Sequence, residues 1–308
     1  MISREHVNLP SPTRAAGLPM LSRLGLGCAT FGREIDETAA HALMDEGVVR
    51  GLQHFDTAAG YSAGASETIV GTWLASRRPL PESISVATKI RPPYTPPVLD
   101  VAVAASAKRL GVATLDLLYL HLWDPSVEAP ATLAALDRLV QTGRVRALGA
   151  SNFTAAQIGS ALAAQSARGL APFRFVQNNH NLAVREIDEA MLAQCRAHDV
   201  AVVTYSPLGA GFLTGKHRAG VQPGSRFAIM PGHQDIYFQP LAERRLADLS
   251  KLADRTGQSM VHLALVWALH QPGTASTLIG GRTVRHIDQA LAALAVNDSE
   301  LLAALAAC

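Results

Sequence analysis

Eight short apolar runs recur along the chain, and a longer amphipathic stretch follows each of them. That alternation constrains the fold more than any single residue does. Parallel strands need long crossovers between them, and once covered on both faces they read as near-continuous apolar runs. The runs are LGLGC (24–28), HFDT (54–57), ISVATK (84–89), LDLLYLH (115–121), RVRALGA (144–150), FRFVQ (173–177), VAVVTYS (200–206) and STLIGG (276–281). Helices are predicted over 36–49, 66–75, 98–110, 130–141, 154–164, 185–198, 240–254, 258–270, 284–294 and 298–306. In the first of these, Ala40, Leu43, Met44 and Gly47 share one face, Asp36 is the expected N-cap, and Gly51 the stop. In the sixth, Ile187, Met191, Leu192 and Cys195 share a face.

Eight βα units predict a closed (β/α)8 TIM barrel, one domain over residues 1–308. The alternative is an open doubly wound sheet. Such a sheet, if it bound a dinucleotide, would carry G-x-G-x-x-G after its first strand. GLGCATFG (25–32) lacks that spacing. Two regions interrupt the alternation. Residues 5–23 precede the first strand and are expected to form a hairpin capping the barrel bottom. Residues 209–239 form a long Gly- and Pro-rich loop after strand seven, of a length usually tied to function.

Bulk properties narrow the function classes. Apolar residues make up 48% of 308 and charged ones 17%, enough for a large core. A net charge of +2 with no basic stripe argues against a nucleic-acid partner. Cys28, Cys195 and Cys308 form neither a disulfide framework nor a zinc pattern, so a reducing, cytoplasmic compartment is expected. No metal is expected. No secretory leader or membrane-length apolar span is evident. Nothing fixes the oligomeric state.

Barrels of this class place functional groups where strands end at the C-terminal rim. The second strand ends at Asp56 with Tyr61 just beyond it, the third at Lys89, and the fourth at His121. A phenol, an ammonium, a carboxylate and an imidazole together suit reversible proton delivery to a carbonyl oxygen. A free phenol has a pKa of about 10, which a neighbouring ammonium lowers. Lys89 is expected to lower that of Tyr61, Asp56 to orient Lys89, and His121 to direct the substrate oxygen. Each residue alone also has a structural reading: strand-end cap, snorkelling lysine, satisfied histidine, packing tyrosine. Their placement at consecutive strand ends favours chemistry.

Along nearly its whole length the chain resembles the aldo-keto reductase superfamily. The matching segments are HFDTAAGY (54–61), GASETIVG (64–71), ATKI, DLLYLHLWDP, GRVRALGASNF (143–153), TYSPLGAGFLTGK (204–216) and IGGRTVRHIDQAL (279–291), in that order. The resemblance implies a barrel that binds NADPH without a Rossmann domain, NADH not being excluded, and catalytic roles for Asp56, Tyr61, Lys89 and His121. It implies that Ser151, Asn152 and Gln177 hydrogen-bond the nicotinamide carboxamide and that Tyr205 stacks on the ring. Ser206, Leu208, Gly211 and Lys216 would line the pyrophosphate. Gly280, Gly281 and Arg282 would form an anion site at a helix N-terminus, with Arg282 on a 2′-phosphate, and His286 and Gln289 would lie near the phosphate or adenine. Other readings of these residues stay open: Ser151–Asn152 as a helix N-cap pair, Tyr205 as core, Arg282 as a solvated side chain. Several positions depart from the family's pattern. Ile279 stands where a proline is common, Gln289-Ala290 where Glu-Asn is common, and His180 where a tyrosine is common. Substrate selection is expected from Phe31, Trp123 and the loops at 91–97 and 222–239, and the substrate is a small carbonyl compound. A keto-sugar reductase or sugar dehydrogenase of the same family is an alternative. So is a nicotinamide-sensing subunit resembling the potassium-channel β subunits. A metal-dependent hydrolase on the same barrel would need an H-x-H pair after the first strand, where this chain has LGLGC.

Overall fold

The computed structural model describes residues 18–77, 79 and 83–308. Eight parallel strands close into a barrel in sequence order. They are β1 (Leu24–Gly27), β2 (His54–Asp56), β3 (Ser85–Ile90), β4 (Leu115–Leu120), β5 (Val145–Ser151), β6 (Phe173–Asn179), β7 (Ala201–Tyr205) and β8 (Thr274–Gly280), with β8 returning to pair with β1. Helices α1 (Glu37–Val49), α2 (Ala65–Ser76), α3 (Pro96–Leu110), α4 (Pro130–Gln141), α5 (Ala155–Ser166) and α6 (Glu189–Ala197) connect β1 through β7. Short α7 (Arg226–Ile229) and α8 (Gln234–Tyr237) punctuate the long segment after β7. Helices α9 (Pro240–Thr256) and α10 (Met260–Leu269) then lead to β8, and α11 (Val284–Leu294) and α12 (Ser299–Ala306) follow it. Among the described residues, no helix is long and apolar enough to cross a membrane.

Local signals set the helix ends. Asp36 caps α1 by accepting from the Ala39 N–H at 2.8 Å, and the left-handed Gly51 follows its last turn. Thr154 and Gln157 form a reciprocal capping box on α5. Thr154, not the Ser151–Asn152 pair, is therefore the cap. The sixth helix starts at Glu189 rather than 185, because Asp188 caps it at the Met191 N–H. Ile187 packs in the core from the connecting loop instead.

Side chains alternate across each strand, so every second one points into the barrel. Ala87, Leu117, Tyr119, Ala147, Phe175, Val203 and Leu278 pack there as a single cluster. The Tyr119 ring fits because β5 carries Gly149 beside it; a Cβ at Gly149 would lie 2.4 Å from the ring. The bottom is closed by Leu18 and Leu21, which join this cluster, and by the Met20 carbonyl, which accepts from Ser85 Oγ at 2.7 Å. Residues 18–23 contain no strand, and the rest of the expected 5–23 hairpin lies outside the described residues. A larger layer, including Leu26, Met44, Trp73, Leu136, Phe173 and Leu263, packs between strands and helices.

Candidate active site

Period-two alternation carries the inner layer up to the mouth. Two residues beyond Ala87 comes Lys89, beyond Tyr119 comes His121, beyond Phe175 comes Gln177, and beyond Val203 comes Tyr205. Asp56 lies level with Ala87 in the β2–β3 register. The top layer of the barrel interior is therefore polar, above an apolar middle layer.

Lys89 is 1% exposed and Asp56 2%. A bare buried charge is costly, so the ammonium needs partners. Its Nζ forms an ion pair with Asp56 Oδ1, donates to the Thr57 carbonyl at 2.9 Å, and reaches Tyr61 Oη at 3.4 Å. That accounts for all three N–H groups. The other oxygen of Asp56, Oδ2, accepts from Gln177 Nε2 at 2.8 Å. Tyr61 stands on a tight turn, Tyr61–Gly64, in which Ser62 and Ala63 have φ of 49° and 52°. Left-handed backbone at two non-glycine residues marks a segment held by its surroundings. Ser62 Oγ anchors it by donating to the Phe31 carbonyl at 2.8 Å. The His121 ring meets that of Tyr61 edge-on, centroids 6.0 Å apart at 84°. Both rings are partly exposed at the mouth. The four residues predicted from strand ends thus converge.

Electrostatics differ from the sequence expectation at one point. Burial raises the Tyr61 pKa; Lys89 pulls it down and Asp56 pushes it up, and the net direction is upward. The phenol is held protonated, not poised near neutral pH. Burial alone would lower the Lys89 pKa, but Asp56 and Tyr61 outweigh it and hold the ammonium above the ordinary lysine value. Burial, with help from Lys89 and Arg91, pushes His121 down to about 3, so its ring is neutral. The His121 Nδ1 is enclosed and lacks a hydrogen-bond partner among the described residues.

The candidate cofactor residues fall into two groups. The first lies at the ends of β5, β6 and β7. Asn152, at φ 60°, donates through Nδ2 to the His121 carbonyl at 2.9 Å and accepts at Oδ1 from Tyr205 Oη at 2.6 Å. Ser151 is buried at 1% exposure beside it. Tyr205 is only partly buried, so it is rim rather than core. The second group lies on the segment after β7 and at the end of β8. Ser206, at φ 58°, opens that segment and Leu208 follows, with its carbonyl accepting from the Gly211 N–H at 3.0 Å. Gly211 has φ 97°, and a Cβ there would lie 3.5 Å from Lys216 Nζ. A bare backbone under an exposed ammonium makes a cradle of the kind an anion fills. Gly280, Gly281 and Arg282 lead into α11, and Arg282 is exposed. His286 is engaged by the fold: its Nδ1 accepts from the Arg282 N–H at 3.3 Å. Gln289 is partly exposed on α11.

Of the two residues expected to face substrate, Trp123 is at the rim, partly exposed and edge-on to Phe153 at 5.1 Å. Phe31 is not: it is fully buried in the core beneath the Tyr61 turn. The apolar position after β1 turns inward because the chain folds back there, Gly32 N–H bonding the Ile35 carbonyl. His180, where the family commonly has tyrosine, is a packing residue: its Nδ1 accepts from the Ile187 N–H and its ring lies 5.2 Å from that of Trp267. The GASETIVG segment contains Glu67, but sequence reasoning gave it no role. It is fully buried, accepts from Thr88 Oγ1 and pairs with Arg109, tying α2 and α3 to the strand that carries Lys89. A lone Glu in an amphipathic helix gives no signal of burial. Sequence reasoning also missed that Gln177 touches Asp56, a contact between residues 121 apart in sequence.

Comparison with known proteins finds relatives along nearly the whole chain. A norsolorinic acid reductase B from Dothistroma septosporum is 31% identical, with 97% of this chain and 80% of that protein aligned. Protein tas of Escherichia coli is 30% identical over 91% of each chain. An uncharacterized oxidoreductase of Bacillus subtilis, YrpG, is 29% identical over 92% of this chain and 90% of its own. The model of the aldo/keto reductase family matches residues 23–308, and the chain belongs to that family of oxidoreductases.

Proposed function

We propose that the protein reduces an aldehyde or ketone to an alcohol, reversibly, using NADPH. One observation carries the reading: the Tyr61 hydroxyl, held protonated by burial, lies 3.4 Å from an ammonium paired with a buried carboxylate. In reduction a proton passes from Tyr61 Oη to the carbonyl oxygen. Lys89 Nζ, already donating to that phenol oxygen, stabilises the phenolate left behind. Asp56 and the Thr57 carbonyl keep Lys89 charged and aimed. His121 is neutral at working pH, so it directs the substrate oxygen by hydrogen bonding without adding charge. The nicotinamide, when bound, supplies hydride to the carbonyl carbon. Ser151, Asn152 and Gln177 would hold its carboxamide and Tyr205 its face. Ser206, Leu208, Gly211 and Lys216 would hold the pyrophosphate. Gly280, Gly281 and Arg282 would hold a 2′-phosphate, with His286 and Gln289 beside the adenosine. The left-handed rim residues and the Gly211–Lys216 cradle support that assignment. The free cysteines fit a reducing, cytoplasmic setting.

The test is NADPH oxidation against a panel of aldehydes and ketones. Tyr61→Phe is expected to lower kcat by at least about 100-fold while the dissociation constant for NADPH, read by tryptophan quenching, stays within a few-fold. Arg282→Ala is expected to weaken NADPH binding and leave NADH binding little changed. Full turnover by Tyr61→Phe, or no turnover with any carbonyl, refutes the reading.

A further inference from the structure

Arg91 stands two residues past Lys89, just beyond β3, with an exposed side chain. Its guanidinium lies against Gly60, the residue before Tyr61. A methyl group placed at Gly60 would come within 3.2 Å of Nε and 3.5 Å of Cζ. The cation therefore flanks the turn that presents the phenol. It also lies near enough to His121 to help depress its pKa, after burial and Lys89. Among the described residues no hydrogen bond or ion pair engages the Arg91 side chain. Asp124 shares its neighbourhood, both acting on Tyr94, but the Asp124 Oδ1 is engaged by the N–H and Oγ of Ser126.

Barrel topology separates this charge from the cations assigned to the cofactor. Lys216 follows β7 and Arg282 follows β8. In a closed barrel of eight strands in sequence order, β3 and β7 are diametrically opposed. Arg91 thus faces the mouth from the side away from the proposed pyrophosphate site. Besides Asp124, the segment after the adjacent β4 carries apolar side chains at the rim: Leu122 is 42% exposed, and Trp123 stands partly exposed on Phe153.

We propose that Arg91 is a specificity residue that pairs with an anionic group on the substrate, so that the favoured carbonyl compounds carry a carboxylate on an apolar, aromatic body. The inference rests on carbonyl reduction at Tyr61. A guanidinium offers paired N–H donors that fit a carboxylate, and one such charged hydrogen bond at a partly open site favours its ligand by about 10-fold or more.

The test compares 2-, 3- and 4-carboxybenzaldehyde with their methyl esters by kcat/KM. At least one acid is expected to exceed its ester by about 10-fold. Arg91→Gln is expected to bring that ratio to near one, chiefly through KM, and Arg91→Glu to favour a trimethylammonium-substituted benzaldehyde instead. Thermal midpoints report whether the variants fold. A ratio near one for all three acids in the unaltered protein, or a ratio that survives Arg91→Gln, overturns the proposal. Benzoate and benzamide binding, read by tryptophan quenching, decides the matter independently of turnover: benzoate must bind more tightly, and lose that advantage in Arg91→Gln. Esters reduced without preference for acids would sink Arg91 alone. No turnover of any aldehyde, with benzoate still selected, would sink carbonyl reduction and leave the anion site standing.

Discussion

Lys89→Met removes the cation that stabilises a Tyr61 phenolate at hydrogen-bond distance. The two groups are 3.4 Å apart. At an effective dielectric near 20, unit charges at that separation attract by about 5 kcal/mol, which is roughly three and a half orders of magnitude in phenolate population at fixed pH. The reading is cleanest in alcohol oxidation, where Tyr61 must first lose its proton. Its pKa already lies above the ordinary phenol value through burial, with Lys89 opposing that rise and Asp56 adding to it. Oxidation should therefore climb with pH well into the alkaline range. In Lys89→Met the climb moves to higher pH, since the opposing charge is gone. In Asp56→Asn it moves the same way but less far: a charge that disfavours the phenolate is gone, yet Lys89 keeps only the Thr57 carbonyl and loses the carboxylate that holds it charged against burial. The assay is kcat/KM for oxidation of a simple alcohol between about pH 6 and pH 11. An upward shift is required in both, the larger in Lys89→Met; no shift, or a downward one, would refute the coupling. Both variants break a buried ion pair, so losses of about 3–5 kcal/mol in stability are also expected, and urea unfolding checks that the profiles come from folded protein.

Two further outcomes follow from buried titratable groups. Burial pushes His54 down to about 4, with Asp56 raising and Lys89 lowering it further. Because this folded-state value lies below the unfolded one of about 6.5, stability is intact above that pH and falls as pH drops toward 4, by about 3 kcal/mol in full. His54→Gln should flatten the fall in urea midpoint over that window, and an unchanged slope would exclude His54 as its source. Glu67→Ala should cost about 3–5 kcal/mol by stranding Arg109 and the Thr88 hydroxyl; a loss under 1 kcal/mol would mean the pair is worth no more than an exposed one.

The fold was legible because alternation is a long-range regularity written in short-range signals. Eight apolar runs, each with a helix behind it, admit few closed arrangements, and the observed strands fall within a residue or two of the predicted ones. What misled was local geometry. The helix near 185–198 starts late because Asp188 caps it from within an apparently helical pattern. Phe31 looked like a rim residue because it follows a strand, yet its burial depends on the fold-back at Gly32 and the Ser62 contact, which no pattern encodes. The positions of Asp56, Lys89 and His121 were readable, since each ends a strand. The direction of the Tyr61 shift was not. It depends on how completely the surrounding barrel excludes water, and the nearby lysine is the weaker influence.

Gln177 shows how one layer of side chains can join the two halves of the proposed chemistry. In its ion pair with Lys89 the Asp56 carboxylate offers oxygens that only accept hydrogen bonds. The atom of Gln177 that meets Asp56 Oδ2 is then the amide nitrogen. That leaves the Gln177 carbonyl oxygen, an acceptor, for a donor arriving from the mouth. A nicotinamide carboxamide has such a donor. On the proposed function, a ring held there is tied through one amide to the carboxylate that keeps Lys89 charged, and through Lys89 to the phenol. Gln177→Leu would therefore act on both at once. Cofactor affinity would fall from the lost acceptor, and the alkaline rise of alcohol oxidation would move from the lost donor to Asp56. A residue that served the cofactor alone would move the first and leave the second where it was.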